Sequence, residues 1–182
     1  FKCESELLKL LDNYKGLLIA LGAEKILDDN KLLTNIINNS LTYCDGIGAV
    51  YALKRKGIGS IKIPGAKLWI SIVKEYHKTK TFYLLGGSEK IILETKKKLE
   101  MNYPDISILG YNNGYFDNEM EIIKKIEIKK PDIIFVALGT PKQEYFMNKS
   151  MKYHKAIYMG LGGSFDLYTG NAVKVPELWN KI

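Results

Sequence analysis

Four short apolar runs, each closing on glycine, constrain this chain more than any other feature. "GLLIALGA" (16–23), "TFYLLGG" (81–87), "PDIIFVALG" (131–139) and "KAIYMGLGG" (155–163) are continuous in hydrophobicity rather than alternating. A strand that is apolar on both sides needs cover on both faces of its sheet. Runs this short, bounded by glycine or proline, read as buried strands. Two weaker runs, "LTYCDG" (41–46) and "DISILGY" (105–111), read as further strands.

Longer stretches with apolar residues at helical spacing lie between them. The spacing predicts a helix over 24–40, with Asp28-Asp29-Asn30 as a point of interruption, and another over "IGAVYALKRKG" that ends at Gly57. A loop at Pro64-Gly65 precedes a helix carrying Leu68, Ile72 and Val73 on one side. Helices are also predicted over "SEKIILETKKKLEMNYP", "DNEMEIIKKIEIKK" and "TPKQEYFMNKSMKYH", with Ser88 as the N-cap of the first. Repeated β-α units imply a mainly parallel sheet with right-handed crossovers. The expectation is a Rossmann-like, doubly wound α/β fold with helices on both faces, in one domain spanning residues 1–182.

The length of 182 residues, with 46% hydrophobic and 26% charged, suits one such domain. The net charge of +7 is carried almost wholly by lysine, since Arg55 is the only arginine, and it favours anionic partners. Those lysines are spread along many helices without an aromatic-basic cluster, so nucleic acid is not an expected partner. Cys3 and Cys44 lie far apart with no histidine beside them, which indicates neither a disulfide framework nor a zinc site. No apolar run approaches the ~20 residues needed to span a bilayer.

In an open parallel sheet, ligands bind beyond the carboxyl ends of the strands, where loops lead into helix N-termini. Gly22-Ala23-Glu24, Asp45-Gly46, Gly86-Gly87-Ser88, Gly139-Thr140-Pro141 and Gly160 to Ser164 all occupy such ends. Glycine lets a ligand approach the backbone, and free amides with the helix dipole attract phosphate. Several such ends on one rim describe a site for a phosphate-bearing ligand, whereas any one of them alone is an ordinary tight turn. In "GLGGSFD" Phe165 takes the last glycine position of a dinucleotide fingerprint, and the chain holds no P-loop. No cofactor is expected. His77 and His154 stand alone and Asp28-Asp29 is not a spaced acidic pair, so no metal site is expected either. Asp45, on the rim before a helix, reads as either an N-cap or a general base for an attacking hydroxyl.

The blocks "CDGIGAVYALK", "IPGAKLW", "FYLLGGSEKI", "GYNNGYF", "PDIIFVALGTPKQE" and "GLGGSFDLYTGNAVKVPELW" occur in that order over nearly the whole chain. Together they resemble the WecG/TagA/CpsF glycosyltransferase family, glycosyltransferase family 26. The resemblance implies an inverting, metal-independent hexosyltransferase that moves a sugar, N-acetylmannosamine-type or another hexose, from a UDP donor to a polyprenyl-diphosphate-linked sugar. It also implies a cytoplasmic protein, peripheral on the inner face of the cell membrane, that builds teichoic acid, capsule or a related surface polysaccharide. The family's proposed base falls on Asp45, and the active-site glutamine of P-K-Q-E falls on Gln143. The matching blocks assign substrate binding to Gly22, Lys62, Gly65, Gly86, Gly87, Ser88, Tyr115, Gly139, Thr140, Lys142, Gly162, Gly163, Ser164 and Asp166.

Some positions depart from the family pattern. "ALGAE" stands where TagA-like members have T-P-N-A-E, so Ala20 and Gly22 replace a threonine and an asparagine of the sugar pocket. Lys62 and Lys174 stand at family arginines, keeping charge but losing the bidentate fork. Members continue past the equivalent of Ile182 with a basic, aromatic tail that completes the site and docks on membrane. Residues 1–182 alone are therefore expected to be weakly active, and the faces left by the tail to favour a homo-oligomer. The expected mechanism is direct displacement: Asp45 deprotonates the acceptor, while amides near Gly86-Gly87 and Gly162-Gly163 and a lysine such as Lys62 stabilise departing UDP. The competing reading is a non-catalytic UDP-sugar-binding subunit of a partner transferase. In "GTPKQE", Thr140 is expected to cap a helix that begins at Pro141, with Gln143 turned toward ligand and Lys142 and Glu144 flanking it or holding the loop by charge.

Overall fold

The structure, a computed structural model, describes residues 1–172 other than Lys2 and Asp28. Six strands, β1 (Gly16–Leu21), β2 (Leu41–Cys44), β3 (Thr81–Gly86), β4 (Ser107–Asn112), β5 (Ile133–Ala137) and β6 (Ile157–Gly160), form one sheet in the order β2-β1-β6-β5-β3-β4. Every neighbouring pair is parallel, with registers such as Leu18↔Leu41, Gly16↔Ile157, Ile133↔Ile157 and Phe82↔Ile133. The doubly wound α/β arrangement expected from the apolar runs is thus present.

Continuous apolar strands are explained by two cores, one on each face. Phe82, Leu84, Ile133 and Phe135 face a layer made by α1 (Glu4–Leu11), α5 (Gly65–Tyr76), α6 (Glu89–Asn102) and α9 (Ser164–Thr169). Their neighbours Tyr83, Leu85, Ile134 and Val136 face α3 (Lys31–Asn38), α7 (Glu119–Lys129) and α8 (Lys142–Ser150). Successive strand residues point to opposite faces, so each strand serves both cores at once. Trp69 anchors the first core, with edge-on ring contacts to Phe135 (5.5 Å), Phe165 (5.7 Å) and Tyr168 (5.0 Å).

Local signals and structure differ at two places, helix α1 and the start of α8, while the expected interruption near Asn30 is present. The helix expected over 24–40 is divided into α2 (Ala23–Ile26) and α3, because Asn30 caps α3 by accepting the amides of Leu32 and Leu33 at 3.0 and 3.1 Å. Helix α1 has no counterpart in the periodicity reading; only Leu7 and Leu11, one turn apart, are buried in it. Ser88 caps α6 as expected, its hydroxyl accepting the amide of Ile91 at 3.3 Å. Thr140, by contrast, does not cap α8. Pro141 occupies the N-cap position, the Thr140–Pro141 peptide is cis, and the Thr140 hydroxyl is turned to the Glu144 carboxylate at 3.3 Å.

Candidate active site

At the carboxyl ends of β1, β2 and β6, a pocket of ≈ 310 Å³ is bounded by Ala20, Lys25, Tyr43, Asp45, Gly65 and Ala66 on one side. Its other wall is Thr140, Gln143, the Gly160–Ser164 loop and Leu167. Strand β2 delivers Tyr43 and, just past its end, Asp45. The reading of Asp45 as the N-cap of the following helix α4 (Ile47–Arg55) does not hold: Gly46 sits there and offers no side chain. The Asp45 carboxylate instead accepts the amide of Gly65 at 2.6 Å. Gly65 opens α5 behind Pro64, which has no side-chain hydrogen bond to give. Asp45 therefore serves a different helix from the one it precedes, and this contact fixes its carboxylate in the pocket wall.

Tyr43 lies against the same glycine. A methyl group placed on Gly65 would come within 2.6 Å of the Tyr43 hydroxyl and 3.4 Å of Asp45 Oδ1. Burial pushes the Tyr43 phenol well above its ordinary pKa, and the charge of Asp45 pushes it further.

Opposite, Gln143 is buried, with 3% of its surface exposed. Its Oε1 accepts the amide of Gly162 at 2.9 Å and its Nε2 donates to Glu144 at 3.0 Å. A side chain at Gly160 would collide with that amide at 2.7 Å, so glycine is required there for Gln143 to reach across. Gln143 thus ties the first turn of α8 to the glycine loop after β6. Beneath it, Lys25 and Glu144 form an ion pair at 3.0 Å with side chains 4% and 0% exposed. Lys25 Nζ also donates to the carbonyl of Ala20 at 3.0 Å. The polar trio of "PKQE" consequently divides its work. Glu144 faces the buried lysine, Gln143 organises the pocket, and Lys142 leaves it to donate to the Gly114 carbonyl at 3.3 Å over the ring of Phe116.

Of the residues expected from sequence, Asp45, Gly65, Thr140, Gln143, Gly162, Gly163 and Ser164 converge on this pocket. The Ser164 hydroxyl is spent locally on the carbonyl of Leu161 at 2.6 Å. A second group gathers where β3 leads to β4 on one side and β5 leads to β6 on the other. There the Gly87 amide points to Ala137 O at 3.4 Å and the Gly114 amide to Gly87 O at 2.8 Å, which laces together the loops bearing Gly86, Ser88, Tyr115 and Gly139. Two amides read as phosphate donors, those of Gly87 and Gly162, thus already have protein acceptors. Tyr115 is 81% exposed on this second rim. Gly22 and Lys62 adjoin the pocket without lining it; Lys62 is exposed and bridges its backbone to Cys44. Asp166 lies in the first turn of α9, where its carbonyl accepts the amides of Asn171 and Ala172. Lys174 lies outside the described residues.

Sequence reasoning missed Lys25 and Tyr43. Lysine in a short helix and tyrosine in a strand carry no local signal of this kind; only the approach of α8 and α5 reveals them. Among the described residues no three His, Cys, Asp or Glu side chains converge as metal ligands would, and no helix is long and apolar enough to cross a membrane.

A model of the WecG/TagA/CpsF glycosyl transferase family matches residues 4–182. The chain belongs to this family. Its members are glycosyltransferases of cell-surface polysaccharide synthesis, using a sugar donor and a lipid-linked acceptor. The pocket is lined by a carboxylate, a phenol, a side-chain amide and an ammonium, those of Asp45, Tyr43, Gln143 and Lys25.

Proposed function

We propose that residues 1–182 act as one transferase domain that moves a hexose from a UDP donor, with inversion, onto a polyprenyl-diphosphate-linked sugar. Asp45 carries the reading: a carboxylate fixed at 2.6 Å on the Gly65 amide, in the wall of a ≈ 310 Å³ pocket at the strand ends. Its free oxygen takes the proton of the acceptor hydroxyl as that oxygen attacks the anomeric carbon. The anomeric C–O bond to UDP breaks as the new C–O bond forms, so one displacement inverts the centre. Lys25, which lines the same pocket, brings its Glu144-paired ammonium toward the departing diphosphate. Gln143 holds the glycine loop in place and turns its remaining amide capacity to the sugar.

A second cavity of ≈ 370 Å³ adjoins the first through Lys25, walled by Leu21, Ile26, Ile37 and Leu53, with Lys56 at its edge. Apolar walls with the Lys56 ammonium beside them match the chemistry of a prenyl diphosphate. From Gly46 to Lys74 the chain carries the cations Lys54, Arg55, Lys56, Lys62, Lys67 and Lys74 and no acid. The same stretch exposes Ile47, Tyr51, Ile58 and Ile61. Exposed apolar side chains in an acid-free basic segment support peripheral attachment to an anionic membrane face, as teichoic acid or capsule assembly would require.

Turnover of UDP-hexoses on prenyl-diphosphate-linked acceptors, compared with Asp45→Asn, tests the proposal. The variant is expected to lose ~10²–10⁴ in kcat and to keep its affinity for UDP. Turnover near wild type would remove Asp45 from the chemistry. Ala20 puts a methyl group in the pocket where TagA-like relatives have a hydroxyl, which favours one competing role, a non-catalytic accessory subunit. UDP-sugar binding without turnover, restored by a second transferase chain, would establish that role instead.

A further inference from the structure

Four tyrosines of the described chain are buried, and three have conventional partners. Tyr76 donates to Leu8 O at 2.6 Å, Tyr83 to Asn112 Oδ1 at 2.6 Å and Tyr158 to His154 O at 3.0 Å. Tyr43, 2% exposed, is the exception: its hydroxyl is buried and has no hydrogen-bond partner among the described residues. A buried hydroxyl left unpaired is destabilising, and folded proteins rarely keep one without a use. Tyr43 lines the pocket that holds Asp45, and its hydroxyl and that carboxylate flank the same Gly65.

We propose that Tyr43 binds and orients the acceptor, its hydroxyl donating a hydrogen bond to the sugar oxygen whose proton Asp45 takes. This rests on the transferase reading above. An attacking hydroxyl has one proton and two lone pairs. With the proton directed to Asp45 and one lone pair held by Tyr43, the second lone pair is left to form the bond to the anomeric carbon. Tyr43 keeps its own proton throughout: the acceptor proton goes to Asp45, and the electrons of the broken bond leave with the nucleoside diphosphate. The missing partner of Tyr43 is, in this account, the substrate.

Tyr43→Phe removes one oxygen and keeps the ring. Because that oxygen has no protein partner, the variant is expected to unfold at the same temperature as wild type or a slightly higher one. Farnesyl-diphosphate-linked hexoses serve as acceptors, with affinity measured by calorimetry without donor and transfer measured with UDP-hexoses. Acceptor affinity and acceptor kcat/KM are both expected to fall about 10-fold, while UDP affinity stays unchanged. A melting temperature several degrees lower would show that the hydroxyl serves the fold, and unaltered acceptor affinity would show that it does not touch the acceptor; either overturns the proposal. Asp45→Asn in parallel separates the two readings. If Asp45→Asn silences transfer while Tyr43→Phe matches wild type, Tyr43 alone is excluded. If wild type binds acceptor through Tyr43 but transfers nothing, the transferase reading fails and the binding role stands. No acceptor binding by wild type overturns both.

Discussion

Replacing Lys25 with methionine is the most searching perturbation of this fold, because it strips a buried carboxylate of its counter-ion. Glu144 is fully buried, and Lys25 Nζ lies 3.0 Å from its Oε1. The other donors to that oxygen are neutral, Gln143 Nε2 at 3.0 Å and Thr140 Oγ1 at 3.3 Å, and Oε2 has no partner among the described residues. Breaking a buried pair from one side typically destabilises by ~3–5 kcal/mol. At ~2–4 °C per kcal/mol for a domain of this size, the melting temperature should fall by roughly 6–20 °C. Adding Glu144→Gln removes the stranded charge while keeping an acceptor for Gln143 and Thr140. The double variant should therefore recover most of the loss, which requires a coupling energy of ~2 kcal/mol or more. Thermal and urea unfolding of wild type, both single variants and the double, followed by far-ultraviolet circular dichroism, complete the cycle. A loss under ~1 kcal/mol for Lys25→Met, or additive effects in the double, would refute the pair as a buried support of the site.

Acid should loosen the sheet through Asp132, whose Oδ2 accepts the amide and the hydroxyl of Thr81 at 2.9 and 2.8 Å. Burial raises its pKa, but the Thr81 hydrogen bonds and the charges of Lys15 and Lys80 outweigh this and leave it below the usual carboxylate value. Its contribution is then fully present above about pH 4 and lost as pH falls through the lower folded value. The urea midpoints of wild type and Asp132→Asn should differ at pH 7 and draw together as pH falls below about 4; a constant gap would exclude the linkage. On vesicles of phosphatidylglycerol, replacing Lys54, Arg55 and Lys56 together by glutamine should lower co-sedimentation about 10²-fold, at ~1 kcal/mol per basic residue, and salt should do the same. Equal binding by both proteins would move the membrane face elsewhere.

What the sequence determined by itself is the layer plan and the rim. Strands such as "FYLL" and "IIFVA" are apolar at every position, and only a sheet covered on both faces can bury every side chain of such a run. Ser88 capping α6 and the break at Asn30 were legible because a cap acts on amides two or three residues away. The family blocks likewise marked Asp45, Gly65, Gln143 and the Gly162–Ser164 loop, which do meet in one pocket. Tertiary structure alone decided what those residues do to one another. Asp45 bonds the first amide of α5 rather than its own helix, Gln143 reaches the loop after β6, and Glu144 of α8 finds Lys25 of α2. Thr140 looked like a cap because Thr-Pro before a helix often is one, but the Glu144 carboxylate drew its hydroxyl away. Tyr43 in "LTYC" reads as a core residue until the neighbouring helix brings Gly65 against its hydroxyl and offers no acceptor. Hydrophobic period and capping depend on neighbours within a turn or a strand, so sequence carries them. The polarity of a buried site depends on which distant groups the packing leaves paired and which it leaves open.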